Sequence, residues 1–267
     1  LGSFVHVEDG RVLFPRFHQW HAVRSILEAT YRYGAGVDRL IQHSAGSGKS
    51  NTIAWTAHSL SRLHGLDDEP IFDKVVVITD RKVLDRQLQA TVSGLEHTPG
   101  TIVRIDEKSQ QLKEALEGNA ARVIITTLQK FPVVAELAAK AAAEGEAKGV
   151  VGRRFAVIVD EAHSSTSGDS VAKLKKVLTS DEALAEAEAS EAAAEAAEEP
   201  DALLLASAQH RGKKKNLSFF AFTATPKART LELFGTFNTV EKKFEPFHLY
   251  SMRQAIEEKF ILDVLRN

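Results

Sequence analysis

His43-Ser44-Ala45-Gly46-Ser47-Gly48-Lys49-Ser50 follows the apolar pair Leu40–Ile41 and runs into Asn51-Thr52-Ile53-Ala54-Trp55. It fits the phosphate-loop pattern G-x-x-x-x-G-K-[ST] at every fixed position but the first, where His43 replaces glycine. The working parts remain. Gly46 and Gly48 allow positive φ and close approach of the backbone to an anion. Successive N–H groups and the N-terminus of a helix starting near Lys49 then face the phosphates. Lys49 is the candidate for the β- and γ-phosphates, Ser50 for a magnesium ion, and Ala45, Gly46, Ser47 and Gly48 for the cradle.

Around this loop, apolar runs alternate with helical stretches. Lys74–Thr79, Thr101–Ile105, Arg122–Thr127, Phe155–Asp160 and Ser218–Thr223 are rich in β-branched or aromatic residues and do not alternate with polar ones. Strands buried on both faces of a parallel sheet have that composition. Helices are expected at Lys49–Leu63, Val83–Val92, Ser109–Leu116 and Phe131–Glu146. Strand and helix in alternation predict an α/β domain with a mostly parallel sheet flanked by helices. Ligands bind at the carboxyl ends of such strands, where the chemical motifs fall.

Composition narrows the classes. The 267 residues contain no cysteine, which removes disulfide frameworks and thiolate metal sites and fits a cytoplasmic setting. No apolar run is long enough to span a bilayer, and no membrane partner is expected. Residues 181–201 hold nine acids and neither Lys nor Arg, an acidic Ala/Glu-rich insertion. With those acids set aside, the net charge of −2 becomes +7, a mildly basic body that tolerates nucleic acid.

Phe155–Val159 runs directly into Asp160-Glu161-Ala162-His163. Asp160 is the candidate magnesium partner. Glu161 is the candidate base or positioner for an attacking water, because hydrolysis needs a proton acceptor near the γ-phosphate. Together with Lys49 they form the candidate catalytic set. The sequence DEAH resembles motif II of helicase superfamily 2, and Thr223-Ala224-Thr225 after another buried run resembles its motif III. That resemblance implies that His163, Thr223 and Thr225 couple the nucleotide site to nucleic acid. Gln19, in Phe14-Pro15-Arg16-Phe17-His18-Gln19-Trp20, resembles the adenine-reading glutamine of that superfamily, with Arg16 and Phe17 beside the base. Trp20 and Trp55 are expected in the core. Val77–Gln87 and Ile125–Lys130 stand where motifs Ia and Ib belong, so Arg81, Thr127 and Gln129 are candidate contacts to a nucleic-acid backbone.

Longer strings resemble one family within that superfamily. LIQHSAGSGKSNTIAW (Leu40–Trp55), VVVITDRKVLDRQLQ (Val75–Gln89), IITTLQKFP (Ile124–Pro132), RRFAVIVDEAHSS (Arg153–Ser165), LSFFAFTATPKARTLELFG (Leu217–Gly235) and FHLYSMRQAIEEKFILDVL (Phe247–Leu265) are together similar to the restriction (R) subunit of type I restriction-modification enzymes. Lys259 stands where that family leads one to expect glycine. The resemblance implies a RecA-like phosphate-loop NTPase domain, using ATP and Mg²⁺, that drives translocation of double-stranded DNA. It further implies methyltransferase (M) and specificity (S) subunits as partners. Residues 1–13 would be a linker from an upstream nuclease domain, 14–246 the first motor domain, and 247–267 the start of a link to a second. The arginine finger belongs to that second domain, so this chain is expected to bind Mg·ATP and hydrolyse it slowly. The alternative is another superfamily 2 translocase or helicase, of the remodelling or repair kind.

Overall fold

The computed structural model describes residues 6–8, 11–79, 88, 91–94, 100–105, 109–127, 153–160 and 216–262. Its centre is a seven-stranded sheet built from β3 (Arg39–His43), β4 (Lys74–Thr79), β5 (Ile102–Arg104), β6 (Val123–Thr127), β7 (Phe155–Val159), β8 (Leu217–Thr223) and β11 (His248–Tyr250). The order across the sheet is β11-β3-β8-β7-β4-β6-β5, and each neighbouring pair is parallel. Two small antiparallel ribbons lie outside it. They are β1 (His6–Glu8) with β2 (Arg11–Leu13), and β9 (Thr236–Asn238) with β10 (Lys243–Glu245).

The expected strands are present within a residue or so of their bounds. The physical reason shows in β4, where all six residues are buried. Val75 and Val77 face one core, with Val23 and Ile26 of α1 (Phe17–Tyr33) and Ile53 and Trp55 of α2 (Lys49–Leu60). Val76 and Ile78 face the other, with Leu112 and Leu116 of α3 (Ser109–Glu117) and Phe234 of α4 (Ala228–Phe234). Alternate side chains of one strand therefore feed two cores, which is why the run shows no polar alternation. Trp55 is core, as expected, whereas Trp20 is only partly buried and packs against the core's edge.

Three of the elements that were not foreseen bear on the site. α1 buries His18, Gln19, Ala22, Val23, Ile26 and Thr30 at helical spacing, but two of the first three are polar and mask the apolar stripe. β11 has only three residues, too few to carry a periodic signal. Its pairing with β3 places residues 248–250 in the main sheet, so the boundary expected at 247 falls inside the sheet. The third, α5 (Met252–Glu257), starts with a capping box in which the Ser251 hydroxyl accepts the Gln254 N–H. The expected helices at 131–146 and 83–92 lie outside the described residues, apart from buried Leu88, Thr91 and Val92 in the second. The insertion at 181–201 also lies outside them. Among the described residues, no helix is long and apolar enough to cross a membrane.

Candidate nucleotide site

β3 ends at His43, and the chain turns through residues 44–48 into α2. The turn uses both expected glycines. Gly46 has φ 76° and Gly48 has φ 81°, the left-handed region that a side chain disfavours. Gly48 is constrained twice, since a Cβ there would lie 2.5 Å from the Gln19 amide nitrogen. His43, at the missing first glycine, is the last residue of an extended strand and does not have positive φ. A side chain is therefore tolerated at that position.

The loop suits a polyphosphate. The first amide bonds of α2 run from Asn51 and Thr52 to the Gly48 carbonyl, so the amides of Lys49 and Ser50 precede the helical ladder. The Ser44 and Ser47 hydroxyls are buried within the loop without a protein partner. An anion supplies the acceptors such donors need. Ser50 is the second residue of α2 and Asp160 follows β7, and a hydroxyl with a carboxylate is the hard-oxygen set that magnesium takes alongside phosphates. Among the described residues, no group of three or more His, Asp or Glu side chains could hold a metal alone.

Sheet order brings these residues to one edge. β8 lies between β3 and β7, so the loop after β3 and Asp160 after β7 are two strand spacings apart, roughly 10 Å. Thr223, at the end of β8 and fully buried, stands between them, and its hydroxyl accepts the Thr225 N–H at 3.3 Å. The Asp160 N–H is fixed by the Ile78 carbonyl of β4. Thr127 ends β6 at the same edge beside Thr79, but is buried rather than presented to solvent. Glu161, His163, Arg81 and Gln129 lie outside the described residues.

Gln19 lies beside the loop, and its amide is occupied within the protein. Its nitrogen donates to the carbonyls of Ser47 (3.3 Å) and Gly48 (3.0 Å), and its oxygen accepts the Arg16 N–H. In this structure it braces the loop and starts α1.

A cluster of aromatic rings under the loop was not foreseen. His18 donates from Nε2 to the Ser47 carbonyl and stacks on Tyr250, with ring centroids 3.7 Å apart. His43 bonds His248 at 3.0 Å, and His248 bonds His21 at 2.9 Å, so three imidazoles form a chain from the buried strand end to the surface. Burial pushes His43 down to about 2, helped by His248, His18 and Lys49 nearby, and pushes His248 down to about 4, helped by His21 and His18. Both are neutral at pH 7. The Tyr250 hydroxyl donates to Glu258 and is pushed up to about 12 by desolvation and that carboxylate. Only tertiary pairing reveals this cluster, because its partners lie more than 200 residues apart.

Residues 18–186, more than half of the chain, match the family described as SWI2/SNF2 ATPase. The chain belongs to the SWI2/SNF2 ATPase family. This ATPase domain is thus a helicase-like motor domain of superfamily 2, as the phosphate loop and motifs II and III suggested. The Sulfolobus solfataricus SWI2/SNF2 ATPase core in complex with double-stranded DNA is similar in structure, with TM-score 0.46 and 12% identity over 82% of this chain and 34% of that one. The Pyrococcus furiosus Hef helicase domain gives 0.44 and 15% over 82% and 34%. The UvsW helicase of bacteriophage T4 gives 0.42 and 16% over 82% and 55%. The chain spans between about a third and a half of these structures. No curated protein matches it. The RecA-like fold of this ATPase domain rests on its own parallel strand order and on the loop between β3 and α2.

Proposed function

We propose that this chain is the ATP-binding first motor domain of a type I restriction R subunit. It powers translocation of double-stranded DNA before cleavage, with methyltransferase and specificity subunits as partners. The observation that carries the motor function is the shared carboxyl edge, where the Lys49 loop, Thr223 and Asp160 end three neighbouring strands. Lys49 and the loop amides would hold the phosphates of ATP. Ser50 and Asp160 would hold Mg²⁺, which neutralises charge on the phosphates and orients them. Glu161 positions water, and His163, Thr223 and Thr225 relay the state of the nucleotide site. Arg81 and Gln129 hold the DNA backbone, while buried Thr127 is not in that role.

The restriction assignment is supported by the long similar strings. Lys259 departs from the glycine that the family leads one to expect, and its φ of 60° is a conformation that glycine would adopt without strain. The family match favours a stand-alone superfamily 2 translocase equally well. The deciding experiment is Mg·ATP turnover by the parent protein, with neighbouring methyltransferase and specificity subunits, with and without unmethylated double-stranded DNA. Stimulation restricted to DNA bearing one unmodified site supports the restriction motor. Equal stimulation by any DNA, with no need of those subunits, establishes the stand-alone translocase instead.

A further inference from the structure

α5 does not simply end. Lys259, at φ 60°, reverses the chain. The Lys259 N–H bonds the Ile256 carbonyl at 2.9 Å and the Phe260 N–H bonds the Ala255 carbonyl at 2.8 Å, the paired bonds of a Schellman turn. The turn carries the next two side chains back onto the nucleotide site. Ile261 packs over the phosphate loop, where a Cβ on Gly46 would lie 3.7 Å from its side chain. Phe260 covers the Arg16 guanidinium, whose central carbon sits 4.1 Å from the ring centroid. Its ring also lies 6.1 Å from that of His18.

The turn is anchored from below. Tyr250 stacks on His18, which bonds the loop at Ser47, and the Tyr250 hydroxyl holds Glu258, the residue before Lys259. Phe260 is nonetheless 40% exposed, although Arg16 lies on one face. A partly open aromatic ring can take a second flat group against it. Here it stands beside a loop built for phosphates, next to the helix start that carries Arg16 and Gln19. Ile261 against Gly46 and Arg16 against the Phe260 ring set that ring next to the loop in which phosphates would sit.

We propose that Phe260 is a nucleotide-binding residue, the stacking surface for the base of a bound nucleoside di- or triphosphate, with Arg16 holding the ring from behind. Stacking recognises flatness rather than hydrogen-bonding edges, so Phe260 contributes affinity without choosing between purines. This rests on the phosphate-loop function proposed above, and the test separates the two.

The experiment is calorimetric titration of the 267-residue chain with Mg·ADP and, separately, with Mg·tripolyphosphate, which has phosphates but no base. Wild type, Phe260→Ala, Phe260→Trp and Lys49→Ala are compared. Phe260→Ala is expected to weaken Mg·ADP about tenfold and leave Mg·tripolyphosphate unchanged. Phe260→Trp should keep Mg·ADP affinity and show fluorescence quenching by Mg·ADP beyond that of the wild type, with no such added quenching by Mg·tripolyphosphate. Unchanged or tighter Mg·ADP binding by Phe260→Ala overturns the proposal. So does an equal loss for both ligands, which makes Phe260 a prop for the loop. Failure of the wild type to bind either ligand, or binding that survives Lys49→Ala, overturns the phosphate-loop function first and the stacking role with it.

Discussion

The Gln19 side-chain amide donates to the Gly48 carbonyl at 3.0 Å, across 29 residues of chain, so the residue expected to read the base is also a strut of the phosphate loop. Gln19→Ala takes the acceptor from the Arg16 N–H and removes one bond each from the Ser47 and Gly48 carbonyls, which keep those from His18 and from Asn51 and Thr52. The expected loss is about 1–3 kcal/mol in urea unfolding. Affinity should fall for Mg·tripolyphosphate as well as Mg·ADP. A loss confined to Mg·ADP would make Gln19 a base reader and not a strut.

Gly48→Ala should impair nucleotide binding more than Gly46→Ala. Both positions need positive φ, but only Gly48 also meets the Gln19 amide at 2.5 Å. The Gly46 change leaves ordinary contact with Ile261. Comparing Mg·ADP dissociation constants of the two variants checks the order, and equal effects would mean that backbone strain alone governs the loop.

The histidine chain makes stability fall in acid. In the folded state His43 sits at about 2 and His248 at about 4, both below the ordinary value of 6.5. The unfolded chain therefore takes up protons first as pH drops. Their stabilising contribution is full above about pH 6.5 and is lost progressively below it, down through pH 4 for His248 and toward pH 2 for His43. The slope approaches about 1.4 kcal/mol per pH unit for each histidine. Urea midpoints at pH 7, 6 and 5 should fall steeply for the wild type and less steeply for His43→Gln. Parallel slopes would remove these residues as the cause.

Lys74 is 2% exposed, and its ammonium donates to the carbonyls of Ala115, Gly118 and Ala121. It closes the C-terminal turn of α3, where carbonyls lack intrahelical partners and a positive charge meets the negative end of the helix dipole. Lys74→Met removes that closure while keeping much of the volume. It should destabilise by about 1–3 kcal/mol without changing Mg·ADP affinity, because the turn lies at the opposite end of the sheet from the loop. A neutral effect on the urea midpoint would show that water replaces the ammonium.

Lys259→Gly should stabilise the chain by about 1 kcal/mol, by relieving a left-handed residue at the helix end. The thermal midpoint checks it. A fall would mean that the Lys259 side chain contributes more than its backbone costs.

Sequence alone determined the sheet and the loop, because each is encoded in adjacent residues. Lys74–Thr79 has the β-branched composition of a strand covered on both faces, and Gly46 and Gly48 before Lys49 have the pattern of a loop that bends around phosphates. Tertiary structure decided what no local pattern encodes. β11 joins β3, and the His18–Tyr250 and His43–His248 pairs form because chain ends more than 200 residues apart meet beside the loop. Gln19 shows the same limit. Its identity was readable, but its hydrogen bonds were set by packing α1 against the loop, which saturates a buried amide with the nearest carbonyls.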